Sequence, residues 1–534
     1  MGSVRVEPRT FNRMVSRDQG ADLLSVLMQG RLVRVNRATF ELEPWLADRW
    51  DSAADGLTHT LHLRSGVTWS DGRPFTSADV VFSMQVATQD PASVLAESLL
   101  VGGKPIQARA PDPQTVVLTF AATSGPGLRL LDNLPILPRH KLEAAVAAGQ
   151  FASAWNTKTP PEDIVGTGPF VLHEYLPGQR VVLDRNPRYW RQAPDGAALP
   201  YLDRIVLDIV PDQNAELLRL QSGVADMMQD SLRPEDFVST RRLERNGALT
   251  IIELGVAEAD GLWFCLKPEV KQKDPRFAFV RRPEFRQALS HAVDRESFAR
   301  EVFQGEAVPV WGLVPPGNRL WFSPNLSRYP YDVGRAQALL KSLGLEDRNG
   351  NGIVEDTAGT EARFTVITQR GVGAYERGTT VLRDEIAKVG VALDTVPLEY
   401  GAMIQRMLAC DYEAIYMAVT TTDMDPAGNL DLWLSSGSGH YWDLAQKTPN
   451  TEWEARVDAL MLEQAAALDQ DRRHAIFDTV QRVVSENLPV VHFVAPRTYA
   501  AHSARLQGVV PAVKRPPILW NADLLSVSGP RPNR

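Results

Sequence analysis

The chain is poor in cysteine, with only two in 534 residues, so no disulfide framework can organise it. Cys265 and Cys410 allow one bridge at most. Both lie in apolar runs, L-W-F-C-L and M-L-A-C, which favours two small, separately buried side chains over a bridge. The redox state of the compartment therefore cannot be read from the cysteines.

The sequence also lacks any long hydrophobic run. Its longest apolar stretches, such as 488–495, are short and are interrupted by Pro489 and His492, so no transmembrane helix is predicted. No signal peptide is visible at the start, where Met1-Gly2-Ser3 leads into a polar, strand-like run. We interpret this start as that of a chain whose leader has been removed.

An excess of basic residues is missing too, because 57 Lys and Arg stand against 65 Asp and Glu, for a net charge of −8. A nucleic-acid surface would need a basic stripe, so that class of partner is disfavoured. Hydrophobic residues make up 44% and charged residues 23%, which is the balance of a folded globular protein. The length predicts several compact units, and neither a repeat nor a flexible linker separates them.

The sequence also lacks recognisable catalytic motifs. The sequence contains no Walker loop, no G-x-S-x-G elbow, no H-E-x-x-H and no G-x-G-x-x-G at a strand-to-helix turn. His59 and His62 lie on an alternating, strand-like segment that sends them to opposite faces. Ser438 and His440 lie in a glycine-rich stretch that is typical of a loop. These absences disfavour a hydrolase, and we expect no cofactor and no catalytic residue.

One segment resembles a metal loop. D-R-N-G-N-G-I at 347–353 matches the first half of a calcium loop, but Ala358 occupies position 12, where such a loop has a bidentate Glu. Asp and Asn beside Gly also form tight turns without metal. We expect a turn here and keep calcium as the alternative.

Periodicity predicts the arrangement of the second half. A strand (363–368), a helix (380–389), a strand (391–396), a helix (401–409) and a strand (412–420) alternate, which predicts βαβ units with a mostly parallel sheet. Before them, a helical pattern begins at Pro283, and Asp294 restarts the helix, which runs to Phe303. After them, two helices at about 452–468 and 471–486 precede a strand near 490–494.

Several short motifs occur together in one order. G-T-G-P-F stands at 166–170, followed by Y-L-P-G at 175–178 and R-N-P-R-Y-W at 185–190. L-A-D-R-W at 46–50 and the stretch 64–80, with its W-S-D-G-R-P-F, precede them, and 220–226 and 286–295 follow. In these motifs the chain resembles the extracellular solute-binding proteins of family 5, which serve ATP-binding-cassette transporters. The resemblance covers nearly the whole chain, with Cys265 replacing an asparagine that is usual in the family.

The resemblance implies an α/β fold like that of type II periplasmic binding proteins, with two lobes that close over a solute and an extra subdomain in lobe one. The implied domains are 1–40 (lobe one, first part), 41–165 (extra subdomain), 166–260 (lobe one, second part), 261–489 (lobe two) and 490–534 (return to lobe one). In open α/β sheets a ligand lies beyond the carboxyl ends of the strands.

The resemblance also implies a reader for a peptide's amino group. In peptide-binding members, an aspartate four residues before a proline pairs with the α-amino group. Here that position, counted back from Pro426, is Thr422, and Asp423 is next to it. We expect Asp423 to take the role, because Asp425 directly precedes the proline and favours a plain turn.

Further candidate ligand contacts carry alternatives of their own. Tyr400 falls where relatives place an aromatic residue in the crevice, or it is a packing residue. Arg370 is suited to a ligand carboxylate through its bidentate fork, or it is a solvated loop residue. Tyr416 falls where oligopeptide-binding relatives have a basic residue. Trp433 could stack on a ligand or only pack against its neighbours. Arg17, with Asp18, is the weakest candidate.

The implied function is that of the substrate-binding protein of an ABC importer, which captures a short peptide or peptide-like solute. Its partners would be that ligand and the permease subunits, and it would be a monomer. It would work in the periplasm or outside the cell, associated with the membrane through the transporter. Two alternatives stay open: a receptor for a metal chelate or another non-peptide solute in the same family, and, from another class, a hydrolase.

Overall fold

The computed structural model describes residues 1–256, 258–420 and 425–529. The strands are β1 (Gly2–Val4), β2 (Val33–Val35), β3 (Leu42–Pro44), β4 (Ala47–Ser52), β5 (Thr58–Leu63), β6 (Leu100–Val101), β7 (Lys104–Pro105), β8 (Gln107–Asp112), β9 (Thr115–Thr119), β10 (Phe170–Leu176), β11 (Arg180–Arg185), β12 (Arg204–Ile209), β13 (Met227–Met228), β14 (Leu249–Val256), β15 (Glu258–Phe264), β16 (Ala307–Pro309), β17 (Arg363–Gln369), β18 (Ala392–Leu398), β19 (Ala414–Thr420), β20 (Val490–His492), β21 (Val494–Ser503), β22 (Leu506–Gln507) and β23 (Ser526–Val527). The α-helices are α1 (Gln19–Met28), α2 (Ser77–Gln89), α3 (Arg139–Ala147), α4 (Gln213–Gln221), α5 (Pro234–Arg245), α6 (Pro268–Lys271), α7 (Phe277–Val280), α8 (Pro283–Ala292), α9 (Arg295–Phe303), α10 (Val333–Ser342), α11 (Gly373–Ala387), α12 (Tyr400–Leu408), α13 (Leu430–Trp433), α14 (Glu452–Ala466) and α15 (Gln470–Asn487).

The chain divides into two compact units. Unit 1 comprises Met1–Leu254 and Tyr499–Arg534, and unit 2 comprises Gly255–Thr498. The chain passes from unit 1 to unit 2 within β14 and returns within β21. Among the described residues, no helix is both long enough and apolar enough to span a membrane.

Unit 1 contains two large sheets. In the first, β10, β11, β12, β1 and β13 are neighbours in that order, followed by β21 and β14. The strand β1 runs parallel to both β12 and β13, whereas β10, β11 and β12 pair antiparallel. The second sheet, β4-β5-β9-β8, is antiparallel and lies within the stretch 41–165. The alternation predicted for the segment with His59 and His62 is confirmed, because β5 alternates between half-buried and buried residues.

The G-T-G-P-F motif has a packing reason. Its backbone runs against the end of α1, where the Gly168 N–H donates to the Met28 carbonyl at 2.9 Å. A Cβ on Gly166 would lie 1.9 Å from the Met28 oxygen, and one on Gly168 would lie 2.4 Å from the Met28 carbonyl carbon. Only glycine permits such an approach. Asn186 of the R-N-P motif donates from Nδ2 to the Gly168 carbonyl at 2.8 Å, which ties the two motifs together.

Unit 2 is built around one five-stranded sheet in the order β18-β17-β19-β15-β20. The strand β17 is parallel to β18 and β19, which confirms the predicted βαβ units. The expectation of a mostly parallel sheet is too simple, because β15 pairs antiparallel with both β19 and β20. The helix α11 begins at Gly373 and covers β17 and β18 with its buried Leu382 and Ile386.

The helix boundaries predicted around 283–303 are confirmed. Pro283 opens α8, and Asp294 caps α9 by accepting hydrogen bonds from Glu296 N and Ser297 N. The helix ends at Phe303, before a left-handed Gln304. The predicted pair 452–468 and 471–486 corresponds to α14 and α15.

The expectation for the two cysteines is wrong. Cys265 follows β15, Cys410 follows α12, and they form a disulfide with a Cα–Cα distance of 5.8 Å, within the range that such bridges require. Their apolar neighbours do bury both residues. Burial alone could not distinguish two apolar fillers from a bridge across 145 residues.

Candidate ligand-binding site

Parallel pairing brings the ends of three strands to one edge of the unit 2 sheet. In β17 and β18 the register pairs Gln369 with Leu398, so both strands end together. Since β19 is parallel to β17, all three strands end at the same, carboxyl-terminal edge. Arg370 follows β17 there, and Tyr400 lies two residues after the end of β18.

Arg370 and Tyr400 are accessible at this edge. The Arg370 N–H donates to the Leu398 carbonyl at 2.7 Å, which fixes its backbone, while 61% of its side chain is exposed. One guanidinium nitrogen donates to the Pro397 carbonyl at 3.2 Å, and another lies 3.6 Å from the Glu399 carboxylate. Tyr400 is 59% exposed. A solvated guanidinium and an aromatic ring together suit a ligand with a carboxylate and an apolar part.

The predicted amino-group reader lies outside the described residues, as both Thr422 and Asp423 fall in 421–424. The first described residue after them is Asp425, which caps the 3-10 helix Pro426–Asn429 by accepting from Ala427 N at 3.0 Å. The predicted turn at Asp425 is therefore confirmed.

Asp425 has a second role that sequence reasoning missed. Its carboxylate forms a two-point ion pair with Arg473, with distances of 2.7 and 2.5 Å, and the two residues are 8% and 1% exposed. Both oxygens are therefore occupied inside unit 2. The pair spans 48 positions, so no local pattern could reveal it.

Tyr416 lies in the middle of β19 and is fully buried. Its hydroxyl donates to the Asp260 carboxylate, whose other oxygen accepts from Val494 N at 2.7 Å. Burial, the largest cause, raises the pKa of Asp260 to about 7 and that of Tyr416 well above its ordinary value. In this structure the ring offers no surface to solvent.

A buried arginine and histidine extend this network. Arg295 donates from Nη2 to the His492 carbonyl at 2.6 Å, and His492 Nδ1 lies 2.9 Å from the Asp260 carbonyl. Burial lowers the pKa of His492 to about 4, so its ring is neutral and Nδ1 donates. Sequence reasoning missed Asp260 and His492. Arg295 is the last residue of the motif at 286–295, and this motif was the signal in the sequence that pointed to the network.

Trp433 is 2% exposed and packs edge-on against Phe477 at a centroid distance of 5.2 Å. It also lines a partly open cavity in unit 2, together with Trp311 and Gln481. Arg17 belongs to unit 1, where its exposed side chain donates to the Val94 carbonyl at 3.3 Å. The structure thus places Arg370 and Tyr400 at one sheet edge, and Trp433 beside a cavity of the same unit.

The loop with Asp347 is a turn closed by its own backbone. The Asp347 carboxylate accepts N–H groups from Gly350, Asn351 and Gly352 at 2.8 to 3.1 Å. Within the described part of the chain, no three acidic, histidine or cysteine side chains are grouped so that they could hold a metal ion.

His440 is a packing residue of unit 2. It is 1% exposed, its Nδ1 donates to the Leu432 carbonyl at 3.0 Å, and its Nε2 lies 3.2 Å from the Glu454 carboxylate. Because Leu432 and Glu454 occupy both ring nitrogens, neither nitrogen is available to activate Ser438 as a nucleophile.

Comparison with known proteins identifies the family of the chain. The model for the bacterial extracellular solute-binding proteins, family 5, matches residues 41–441. The chain belongs to this family. It is 26% identical over 532 residues to the probable ABC transporter-binding protein of Deinococcus radiodurans, with 94% of this chain and 87% of that protein covered. It is also 26% identical to the dipeptide-binding protein of Escherichia coli, with 95% and 90% covered.

Among solved structures, the ABC transporter substrate-binding protein CtaP of Listeria monocytogenes superposes with a TM-score of 0.80. The alignment covers 99% of this chain and 98% of CtaP, at 23% identity. At that identity the similarity shows the fold, and the fold predicted from the sequence motifs is confirmed.

Proposed function

We propose that this protein is the substrate-binding component of an ABC importer and that it captures a short peptide or peptide-like solute. Family membership supports the solute-binding role, and the relative from Escherichia coli is named for dipeptide binding. The geometry of unit 2 supports the position of the ligand. Arg370 and Tyr400 follow two parallel strands at one sheet edge, where ligands of open α/β sheets bind.

We assign three of the contacts by chemistry. Arg370 carries a cation that can hold the carboxyl end of a peptide through two hydrogen bonds, and Tyr400 offers an exposed ring beside it. Asp423 is the proposed partner of the peptide's amino group, since Asp425 is already engaged by Arg473. Tyr416, Trp433 and Arg17 stay predictions as ligand contacts.

The Asp423 assignment is tested by calorimetry on Asp423→Asn with a peptide that the wild type binds. Losing the partner of a desolvated charge costs about 2–5 kcal/mol, so affinity should fall tenfold or more. Asp384→Asn is the control, because Asp384 is an exposed carboxylate on α11 that pairs with its neighbour Arg383. Asp425→Asn is not a suitable control, since it removes a buried structural charge.

If Asp423→Asn binds the peptide as tightly as Asp384→Asn does, Asp423 does not read the amino group. A ligand without a free α-amine then becomes the better assignment, with a metal chelate among the alternatives.

We further propose that the protein works outside the cytoplasm, in contact with permease subunits, as a monomer and without catalytic turnover. The Cys265–Cys410 disulfide supports the location, because such bridges persist in oxidising compartments. A peptide mixture incubated with the protein should be recovered intact. Reproducible cleavage that one point substitution abolishes would instead identify a hydrolase.

A further inference from the structure

A second pocket is lined only by residues of unit 1, and none of them is assigned to the peptide. It is partly open to solvent. Its charged and amide side chains, which define what we call the arginine pocket, are Gln29, Arg31, Arg34, Arg37, Asp132 and Asp523. Since it belongs to unit 1 alone, it can be tested independently of the proposed peptide site.

The three arginines come from one short segment of the chain. Arg31 lies just before the short strand β2, Arg34 lies within it and Arg37 lies in the turn that follows it. Gln29 is the C-terminal cap of α1. Asp132 comes from the 3-10 helix Gly127–Asn133, and its backbone carbonyl accepts from Arg31 Nε at 2.6 Å.

Two buried polar side chains in this pocket are only half satisfied. Gln29 is 3% exposed, and its Oε1 accepts from the Ser25 hydroxyl at 2.8 Å. Asp132 is 5% exposed, and its Oδ1 accepts from Val35 N at 2.8 Å. Throughout the described residues, Gln29 Nε2 and Asp132 Oδ2 find no hydrogen-bond partner. Leaving such a group buried and unpaired is unfavourable, so the pocket presents one donor group and one acceptor that a ligand can satisfy.

The charges around the pocket do not cancel. Arg34 pairs with Glu43 at 2.8 Å and stacks on Trp45, with 3.9 Å from its guanidinium carbon to the ring centroid. Asp523 pairs with Arg191.

Arg31 and Arg37 are 9% and 8% exposed, and the carboxylates of Asp132 and Asp22 act on both of them. Burial lowers the pKa of both arginines, and these two carboxylates offset it only in part. Asp22 is already paired with Arg13 at 2.8 Å, which leaves Asp132 to balance two arginines and one positive charge in excess.

These groups specify a ligand chemistry. The excess charge calls for a monoanion, the donors of Arg31, Arg37 and Gln29 suit a carboxylate, and Asp132 Oδ2 needs a donor on the same molecule. Acetate has no such donor. A zwitterionic amino acid has one, but its ammonium group cancels the required negative charge.

We propose that the arginine pocket binds a small hydroxycarboxylate. Its carboxylate accepts from Arg31, Arg37 and Gln29 Nε2, and its hydroxyl donates to Asp132 Oδ2.

Calorimetry with glycolate, acetate, glycine and inorganic phosphate tests the chemistry. The wild type should bind glycolate at least about tenfold more tightly than acetate or glycine, as expected for one hydrogen bond to a buried carboxylate. Asp132→Ala, once circular dichroism shows it to be folded, should remove the preference for glycolate over acetate while acetate still binds, because the hydroxyl loses its partner and the cations remain. Equal binding of glycolate and acetate by the wild type, tighter binding of phosphate, or no binding of glycolate would overturn the proposal.

A charge variant and a structure locate the site. Arg37→Gln should weaken glycolate binding about tenfold or more, whereas Arg49→Gln, which removes an exposed cation from β4, should leave it unchanged. Because Arg37 is buried, circular dichroism must first show that its variant is folded. If it is not, the crystal structure of the wild type with glycolate decides. Density between Arg31 and Arg37 supports the proposal, and glycolate bound only elsewhere refutes it.

Discussion

The buried ion pair between Asp425 and Arg473 gives a sharp test of unit 2, because it lies directly after the segment that carries Asp423. Asp425→Asn removes the negative charge but keeps a side chain that caps a helix equally well. Arg473, 1% exposed, would then hold an unpaired charge next to Trp321, 5.1 Å from the ring centroid. Removing one partner of a buried pair costs about 3–5 kcal/mol.

For a unit of this size, each kcal/mol lowers the melting temperature by about 2–4 °C, so Asp425→Asn should lower it by roughly 6–20 °C. Urea denaturation followed by circular dichroism measures the free energy of unfolding directly. Asp384→Asn, on the exposed face of α11, is the matched control and should change it by no more than about 0.5 kcal/mol.

The double variant Asp425→Asn with Arg473→Met separates charge from packing. Replacing both members of a buried pair by uncharged groups is often close to neutral, so the double variant should regain most of the lost stability. A single variant as stable as the control would refute the reasoning, and so would a double variant less stable than the single one.

Two further predictions concern stability. Glu216 is fully buried, and burial raises its pKa to about 7 from an ordinary 4.5, so ionising it opposes folding. Between about pH 4.5 and 7 the free energy of unfolding of the wild type should fall by up to about 3 kcal/mol relative to that of Glu216→Gln. Urea denaturation across that range measures this difference, and a difference that does not change with pH would contradict the prediction. Removing the disulfide with the double variant Cys265→Ala and Cys410→Ala should lower the free energy of unfolding by about 2–5 kcal/mol. Dithiothreitol should destabilise the wild type but not the double variant. Equal stability of the wild type with and without reductant would show that the bridge does not form.

Local signals in the sequence predicted much of the fold. Pro283, Asp294 and the alternation of strands with helices after 361 act through nearest neighbours, and each led to the correct element. The antiparallel β15 and β20 could not be predicted, since their place in the sheet depends on pairing with distant strands. Resemblance supplied the overall architecture, because several short motifs in fixed order carry more information than propensity.

The site was predicted less completely, for a physical reason. Arg370 and Tyr400 follow strands, and position after a strand is visible in sequence. The partners of buried charges are not visible, because Asp425 and Arg473 are 48 positions apart and Arg31 and Asp132 are 101 apart. Such pairs depend on the tertiary fold, and so did the disulfide, whose cysteines looked like apolar fillers.

Native mass spectrometry of protein purified without refolding tests the central claim most directly. The captured solute should appear as an added mass of one short peptide per chain and should be released intact on denaturation. After the ligand has been removed, incubation with a mixture of dipeptides should again give one bound peptide per chain. Protein that carries no peptide, takes none up from the mixture and instead retains a metal chelate or another non-peptide solute would contradict the account.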